Sequence, residues 1–246
     1  MKIFAVVLLI CSALLWSCKQ SSTQPGESNS LSGKVLLLTE YSDTLADRSN
    51  VKVQVGNRSI TGLSNAKGEW NLSNLPTGDI LLVFSKEGFC TYEQEVSMSS
   101  HSDSHFSTLE IRLDEYPTYT VDSLDAEVDP SDHALTISGT VSSLPKSVYG
   151  KKVVLYFCKA STISSLPTEY DFYTDVTAEY GRSTFVRNIS ADVLANNGIA
   201  PGDTLHCVAY PAGERTLCGY SDPATRKVVL TSIGQIASNE VSVVFQ

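Results

Sequence analysis

Residues 64–78 read SNAKGEWNLSNLPTG. One tryptophan stands in a polar run between two glycines, and a Leu-Pro-Thr-Gly turn follows. Trp70 and Leu72 alternate with Glu69, Asn71 and Ser73, which is the period of a strand with one buried face. The Asn-Ala-Lys-Gly segment before it and the Pro-Thr-Gly segment after it carry turn residues. Trp70 is therefore expected to be an inward peg of a β-sheet, not a stacking platform for a sugar ring.

The same punctuation continues on both sides. From Leu31 onward, short runs rich in Val, Ile, Leu, Tyr and Thr alternate with clusters of Gly, Pro, Asn, Asp and Ser, the pattern of an all-β chain. Strands are expected over 32–39, 51–55, 59–64, 69–73, 79–86, 93–98 and 108–113. The order Gly33-Lys34-Val35, Val51-Lys52-Val53, Gly68-Glu69-Trp70-Asn71-Leu72 and Leu75-Pro76-Thr77-Gly78 resembles the carboxypeptidase regulatory-like domain over residues 31–114. That resemblance implies a transthyretin-like sandwich of seven strands and a non-catalytic accessory role.

A polar segment over 116–121 precedes a restart of the pattern. Strands are expected on both sides of the acidic turn near Asp129, then over 151–159, 183–189, 204–210, 217–221 and 240–245. The strands 204–210 and 217–221 are expected to form a hairpin about a turn at 211–215. Residues 190–198, SADVLANNG, predict one helical turn capped by Ser190 or Asp192 and ended by Gly198. The stretches Ile199-Ala200-Pro201-Gly202-Asp203-Thr204 and Tyr220-Ser221-Asp222-Pro223 resemble a fibronectin type III-like or immunoglobulin-like sandwich over residues 115–246. The expected architecture is two β-sandwich domains in tandem.

The chain opens MKIFAVVLLICSALLWSC. Lys2 is the only charge before an apolar run that ends at Trp16, too short for the roughly 20 residues that span a bilayer. Residues 1–17 read as a signal peptide. Leu15-Trp16-Ser17-Cys18 resembles the bacterial lipobox, which implies cleavage before Cys18 and lipidation of its sulfur. Acyl chains would then hold the protein on the outer membrane, each buried CH₂ contributing about 0.8 kcal/mol. Residues 18–30 lack apolar side chains after the cysteine and read as a flexible tether. Whether the anchor faces the periplasm or the exterior is open.

The formal charge is −9, and removal of Lys2 with the signal takes it to −10. Such a surface repels nucleic acid. The sequence contains no G-x-S-x-G, H-E-x-x-H, P-loop or G-x-G-x-x-G, so it offers no hydrolase or nucleotide-binding motif. No cofactor is implied and the chain reads as non-enzymatic. His101, Asp103 and His105 alternate in a Ser-rich stretch that reads as a solvated loop. Asp125, Glu127, Asp129 and Asp132 read as an exposed acidic turn, and neither group is assigned a metal.

After the signal and Cys18, four cysteines remain: Cys90, Cys158, Cys207 and Cys218. They permit three pairings, and Cys207 with Cys218 is a candidate across the expected hairpin. Cys158 reads as a small buried hydrophobe. Asp43-Thr44-Leu45 and Asp122-Ser123-Leu124 resemble an O-glycosylation sequon of exported bacterial proteins, which implies glycans on Thr44 and Ser123 in loop or linker. Function on a sandwich tends to sit on loops. The loops singled out are 41–50 and 164–173, where Tyr170, Phe172 and Tyr173 are candidate ligand-stacking residues; the alternative is that Phe172 or Tyr173 begins a strand and packs inward. The expected role is that of an envelope lipoprotein that captures a glycan for an uptake system or serves as an assembly or spacer subunit.

Overall fold

The computed structural model describes residues 29–99, 109–142, 150–214 and 219–245. The first half contains seven strands: β1 (Asn29–Leu38), β2 (Lys52–Val55), β3 (Thr61–Leu63), β4 (Glu69–Leu75), β5 (Gly78–Ser85), β6 (Tyr92–Met98) and β7 (Leu109–Asp114). They form two sheets, ordered β4-β1-β7 and β3-β2-β5-β6. β1 runs antiparallel to β4 and parallel to β7. Their facing sides enclose one core that includes Val35, Leu37, Val53, Trp70, Leu82 and Phe84.

Trp70 is 3% exposed and meets Phe84 edge to face, with ring centroids 5.4 Å apart. Gly33 lies directly across the β1–β4 ladder from Trp70. A Cβ at Gly33 would stand 2.6 Å from the indole ring and 2.6 Å from the Leu109 carbonyl oxygen. Glycine is required there by the close approach of the indole and a neighbouring strand.

The second half contains β8 (Val121–Val128), β9 (Leu135–Val141), β10 (Lys151–Cys158), β11 (Phe172–Ala178), β12 (Thr184–Ile189), helix α1 (Ala191–Asn196), β13 (Thr204–Ala212), β14 (Gly219–Ser221), β15 (Val228–Leu230) and β16 (Val241–Val244). The main sheets are β11-β10-β13-β16 and β12-β9-β8. Between them lies a core that includes Ile137, Leu155, Phe157, Phe185 and Leu205. Ser190 caps α1, its side chain accepting from the Val193 N–H, and Gly198 follows with a positive φ of 78°.

β10 is buried on both faces. Val153, Leu155 and Phe157 face the inter-sheet core, while Val154 and Tyr156 face a second cluster with Tyr170, Val208, Tyr210 and Leu230. The paired strands β14 and β15 lie over this outer face and supply Leu230 and Val228. The near-continuous apolar run VVLYFC is thus that of a strand covered on two sides.

Several expectations are corrected. β13 continues through Pro211 to Ala212 and pairs with β10 and β16, while β14 pairs with β15. The expected hairpin between 204–210 and 217–221 is therefore not formed. β15 was not foreseen as a strand, whereas β11 begins at Phe172, as one of the two readings of that stretch has it. The chain is already in β1 at Asn29, which is 7% exposed and opposite Leu75, so the expected tether to residue 30 overruns the first strand. In the polar segment 116–121, Thr118 and Tyr119 take part in the joint described below.

Candidate functional site

The two halves meet at a joint built by Glu40 and Tyr119. Glu40 follows β1 and is 8% exposed. Its carboxylate accepts from the Thr118 N–H at 2.8 Å and from Thr118 Oγ1 at 3.0 Å. Its backbone carbonyl accepts from the Glu214 N–H at 2.9 Å. The Tyr119 hydroxyl lies between the carbonyls of Lys152 and Ala212, which it approaches at 2.8 Å on the Ala212 side, and closes the end of the β10–β13 pair. Lys151 Nζ sits 4.3 Å above the centre of its ring, in cation–π range. Burial pushes the Tyr119 phenol pKa up.

A groove of about 600 Å³, lined by residues of both halves, runs between the β5–β6 pair and β14, within the span of small-ligand sites. One wall is the outer face of the β5–β6 pair, carrying Leu81, Glu93 and Glu95. Glu93 and Glu95 are both exposed and, two residues apart on one strand, point to the same side. Half-buried Tyr92 opens the strand, its hydroxyl 3.4 Å from Gln94 Oε1. The opposite wall comes from β14 and the turn after it, with Tyr220 and Pro223 foremost.

Tyr220 is 55% exposed, yet its hairpin is firmly built. The Asp222 carboxylate accepts from the Thr225 N–H at 2.7 Å, from Thr225 Oγ1 at 2.8 Å and from the Ala224 N–H at 3.1 Å. The Thr225 backbone bond leads in holding the Asp222 pKa below the ordinary carboxylate value. Lys227 donates to the Tyr170 carbonyl and lies 4.9 Å above the Tyr170 ring. The site thus offers the exposed Tyr220 ring, two carboxylates and an aliphatic patch, with the half-buried Tyr92 at its edge packed against the first core. Rings suit the apolar face of a sugar and carboxylates accept from its hydroxyls. The exposed glutamates lack the apolar enclosure that makes a carboxyl a general acid. Among the described residues no three His, Cys, Asp or Glu side chains are grouped to hold a metal.

The residues singled out from sequence land elsewhere. Tyr170 is 2% and Phe172 8% exposed. Tyr170 packs edge to face on Tyr156, and Phe172 stacks on Phe157 at 4.7 Å. The expected exposed aromatic cluster is corrected on this point, because Phe172 begins β11 and faces the core. Tyr173, on the opposite side of that strand, is 36% exposed. Thr44 is exposed in the loop after β1. Ser123 is exposed, but within β8 at a bulge and bonded to Thr140 Oγ1 at 2.7 Å, not in a linker.

Cys207 is a free thiol at 2% exposure in the inter-sheet core, and burial pushes its pKa up. The expected hairpin between the strands carrying Cys207 and Cys218 is not formed, and the candidate disulfide partner Cys218 lies outside the described residues. Cys18, His101, Asp103, His105 and Cys218 lie outside the described residues. Sequence reasoning missed Tyr92, Glu93, Glu95 and Tyr220. The available signal was modest: two acids alternating outward on one strand, and a tyrosine in a short polar strand ahead of Asp-Pro.

No protein-family profile matches the chain and no curated protein matches its sequence. Solved structures do align. A type II cohesin–X-dockerin complex of Acetivibrio cellulolyticus aligns at 13% identity and TM-score 0.28, over 35% of this chain and 56% of that one, so this chain spans about half its length. A DUF3823 family protein from Parabacteroides merdae aligns at 14% identity and TM-score 0.32, over 87% of this chain and all of that one. A Bacteroides uniformis protein described as a candidate carbohydrate-binding protein aligns at 12% identity and TM-score 0.30, over 87% of this chain and 98% of that one.

Proposed function

We propose that the protein is a non-enzymatic lipoprotein of the cell envelope that holds a glycan in the groove between its two halves. The observation that carries this reading is Tyr220, more than half exposed on a braced hairpin and facing Tyr92, Glu93 and Glu95 across that groove. A rigidly held, exposed aromatic ring suits stacking on the apolar face of a sugar. Residues 1–17 are removed as a signal, and Cys18 carries the lipid that anchors the protein to the outer membrane. Glycans attached at Thr44 and Ser123 fit their exposure. The acidic net charge argues for polysaccharide or protein partners over nucleic acid.

Calorimetric titration of the lipid-free chain with a panel of neutral polysaccharides tests the groove. Saturable binding to at least one is expected, and Tyr220→Ala should weaken it by 1 kcal/mol or more, about the value of an aromatic stacking contact, without lowering the melting temperature. If Tyr220→Ala binds like the wild type, the groove is not the site. The braced joint favours a second reading, a rigid spacer in an assembly. Failure of every polysaccharide, with a single envelope protein recovered by crosslinking in cells, would support that reading.

A further inference from the structure

A second cavity, of about 310 Å³, opens at the side of the second sandwich, away from the groove. It lies where the edge strands β11 and β12 of the two main sheets face one another. On β12, Phe185, Arg187 and Ile189 share one side of the strand. Phe185 and Ile189 are buried in the core, whereas Arg187, on that same inward side, is exposed. On β11, Phe172 and Thr174 face inward in the same way. Arg187 Nη2 donates to Thr174 Oγ1 at 3.1 Å, a bond that spans from one sheet to the other. The floor is apolar, from Phe172 and Ile189, and α1 adds Val193 and its C-cap residue, Asn197.

Arg112 and Arg182 each pair with a glutamate, whereas Arg48, Arg58 and Arg226 are in no ion pair among the described residues; what sets Arg187 apart is its inward-facing place on β12. Arg187 is in no ion pair among the described residues, in a chain with 27 acidic and 18 basic residues. Its one hydrogen bond goes to a neutral hydroxyl, which leaves most of its five donors unused. Ser190 and Asn197 at the rim offer further hydroxyl and amide groups. Asn197 commits one donor to the Val193 carbonyl at 2.8 Å, and its amide oxygen stays available.

We infer that this inter-sheet cleft binds a compact hydroxylated carboxylate, such as a hexuronate or a uronate end unit, with Arg187 as the carboxylate fork. A guanidinium presents paired N–H groups that match a carboxylate's two oxygens, a geometry lysine cannot reproduce. The rim meets the hydroxyls and the Phe172–Ile189 floor meets the apolar ring face. The site is opposite in charge to the glutamate-lined groove, and it stands whether or not that groove binds a glycan.

The competing explanation is that an inward charge on an edge strand only guards against strand addition by another chain. Titration of the lipid-free chain with glucuronate, followed by amide and guanidinium NMR, separates the two. Saturable shifts at Arg187 and Asn197 are expected at millimolar glucuronate, with glucose about tenfold weaker. Arg187→Lys keeps the charge and should stay monomeric while losing about tenfold in affinity. Tyr220→Ala should bind glucuronate unchanged. The inference is overturned if glucuronate leaves the folded protein unshifted, if Arg187→Lys binds like the wild type, or if Tyr220→Ala abolishes the shifts, which would place the carboxylate in the groove. Aggregation of Arg187→Ala with no glucuronate binding by the wild type would assign the edge-guard role instead.

Discussion

Three buried rings behave differently because of what their polar atoms meet. Trp70 fills the first core and is matched to the bare backbone of Gly33. Trp70→Ala should cost about 3–5 kcal/mol, read as a shift in the urea midpoint. Gly33→Ala should also destabilise, since the added methyl meets a ring and a carbonyl that are both fixed. Tyr156 is fully buried and its hydroxyl has no hydrogen-bond partner. Removing an unsatisfied group relieves a penalty of about 1–3 kcal/mol, so Tyr156→Phe should melt no lower than the wild type. Tyr119→Phe should melt lower, because it breaks bonds to two strands. Burial raises the phenol pKa of both tyrosines. An unfolded phenol titrates near 10, so the folded chain holds these protons more tightly. Their contribution is intact below about pH 10 and is lost as pH rises further. Stability should be flat through neutral pH and fall above it, with a shallower fall in Tyr119→Phe. An equal alkaline slope in that variant would show that Tyr119 is not the group responsible.

At the scale of elements, strands with a clean alternation were legible. The residues of β4 alternate buried and exposed through Ser73, and β2 and β5 follow the same rule. β10 was legible as a central strand because its apolar run is continuous. β11 was legible only at its start, where Phe172 or Tyr173 could open a strand, since FYTDVTA mixes polar and aromatic residues; Thr174 and Val176 face a partly open sheet edge, where burial imposes no strict pattern. The false hairpin came from Pro211, read as a stop. Its ring is accommodated within β13 opposite Val153, so the strand runs on. β15 is three residues long and gave too little pattern. The groove was unreadable for a different reason: β6 and β14 are far apart in sequence, and only the fold brings them to one groove. The hairpin's rigidity is testable. Asp222→Ala removes three acceptor contacts and should speed amide exchange in β14 and β15 while the rest of the chain stays protected. Groove affinity should fall with it, because Tyr220 would then have to be ordered on binding. Unchanged exchange across β14 would mean that Leu230 packing alone fixes the hairpin.

For the whole molecule, the joint decides whether the groove exists as a shape. Two sandwiches with separate cores move freely by default unless their contact is extensive or specific. Here the specificity rests on one buried carboxylate. Glu40 ties the end of β1 to Thr118 through its side chain and to Glu214 through its backbone, while Tyr119, the next residue after Thr118, is locked into β10 and β13. β1 ends just before Glu40, so the joint ties the second sandwich to the end of β1. Glu40→Ala leaves the Thr118 N–H without its acceptor, and hydrogen bonds to a charged group are worth about 1.5–3 kcal/mol each. The wild type should unfold as one calorimetric transition and the variant as two, since each half retains its own core. Small-angle scattering should show a larger radius of gyration for the variant, and groove binding should weaken even though no groove residue has changed. Glu40→Gln keeps an acceptor oxygen and should lie between the two. Two transitions already present in the wild type would mean the halves are not coupled, and the groove would then be a transient opening, not a preformed site.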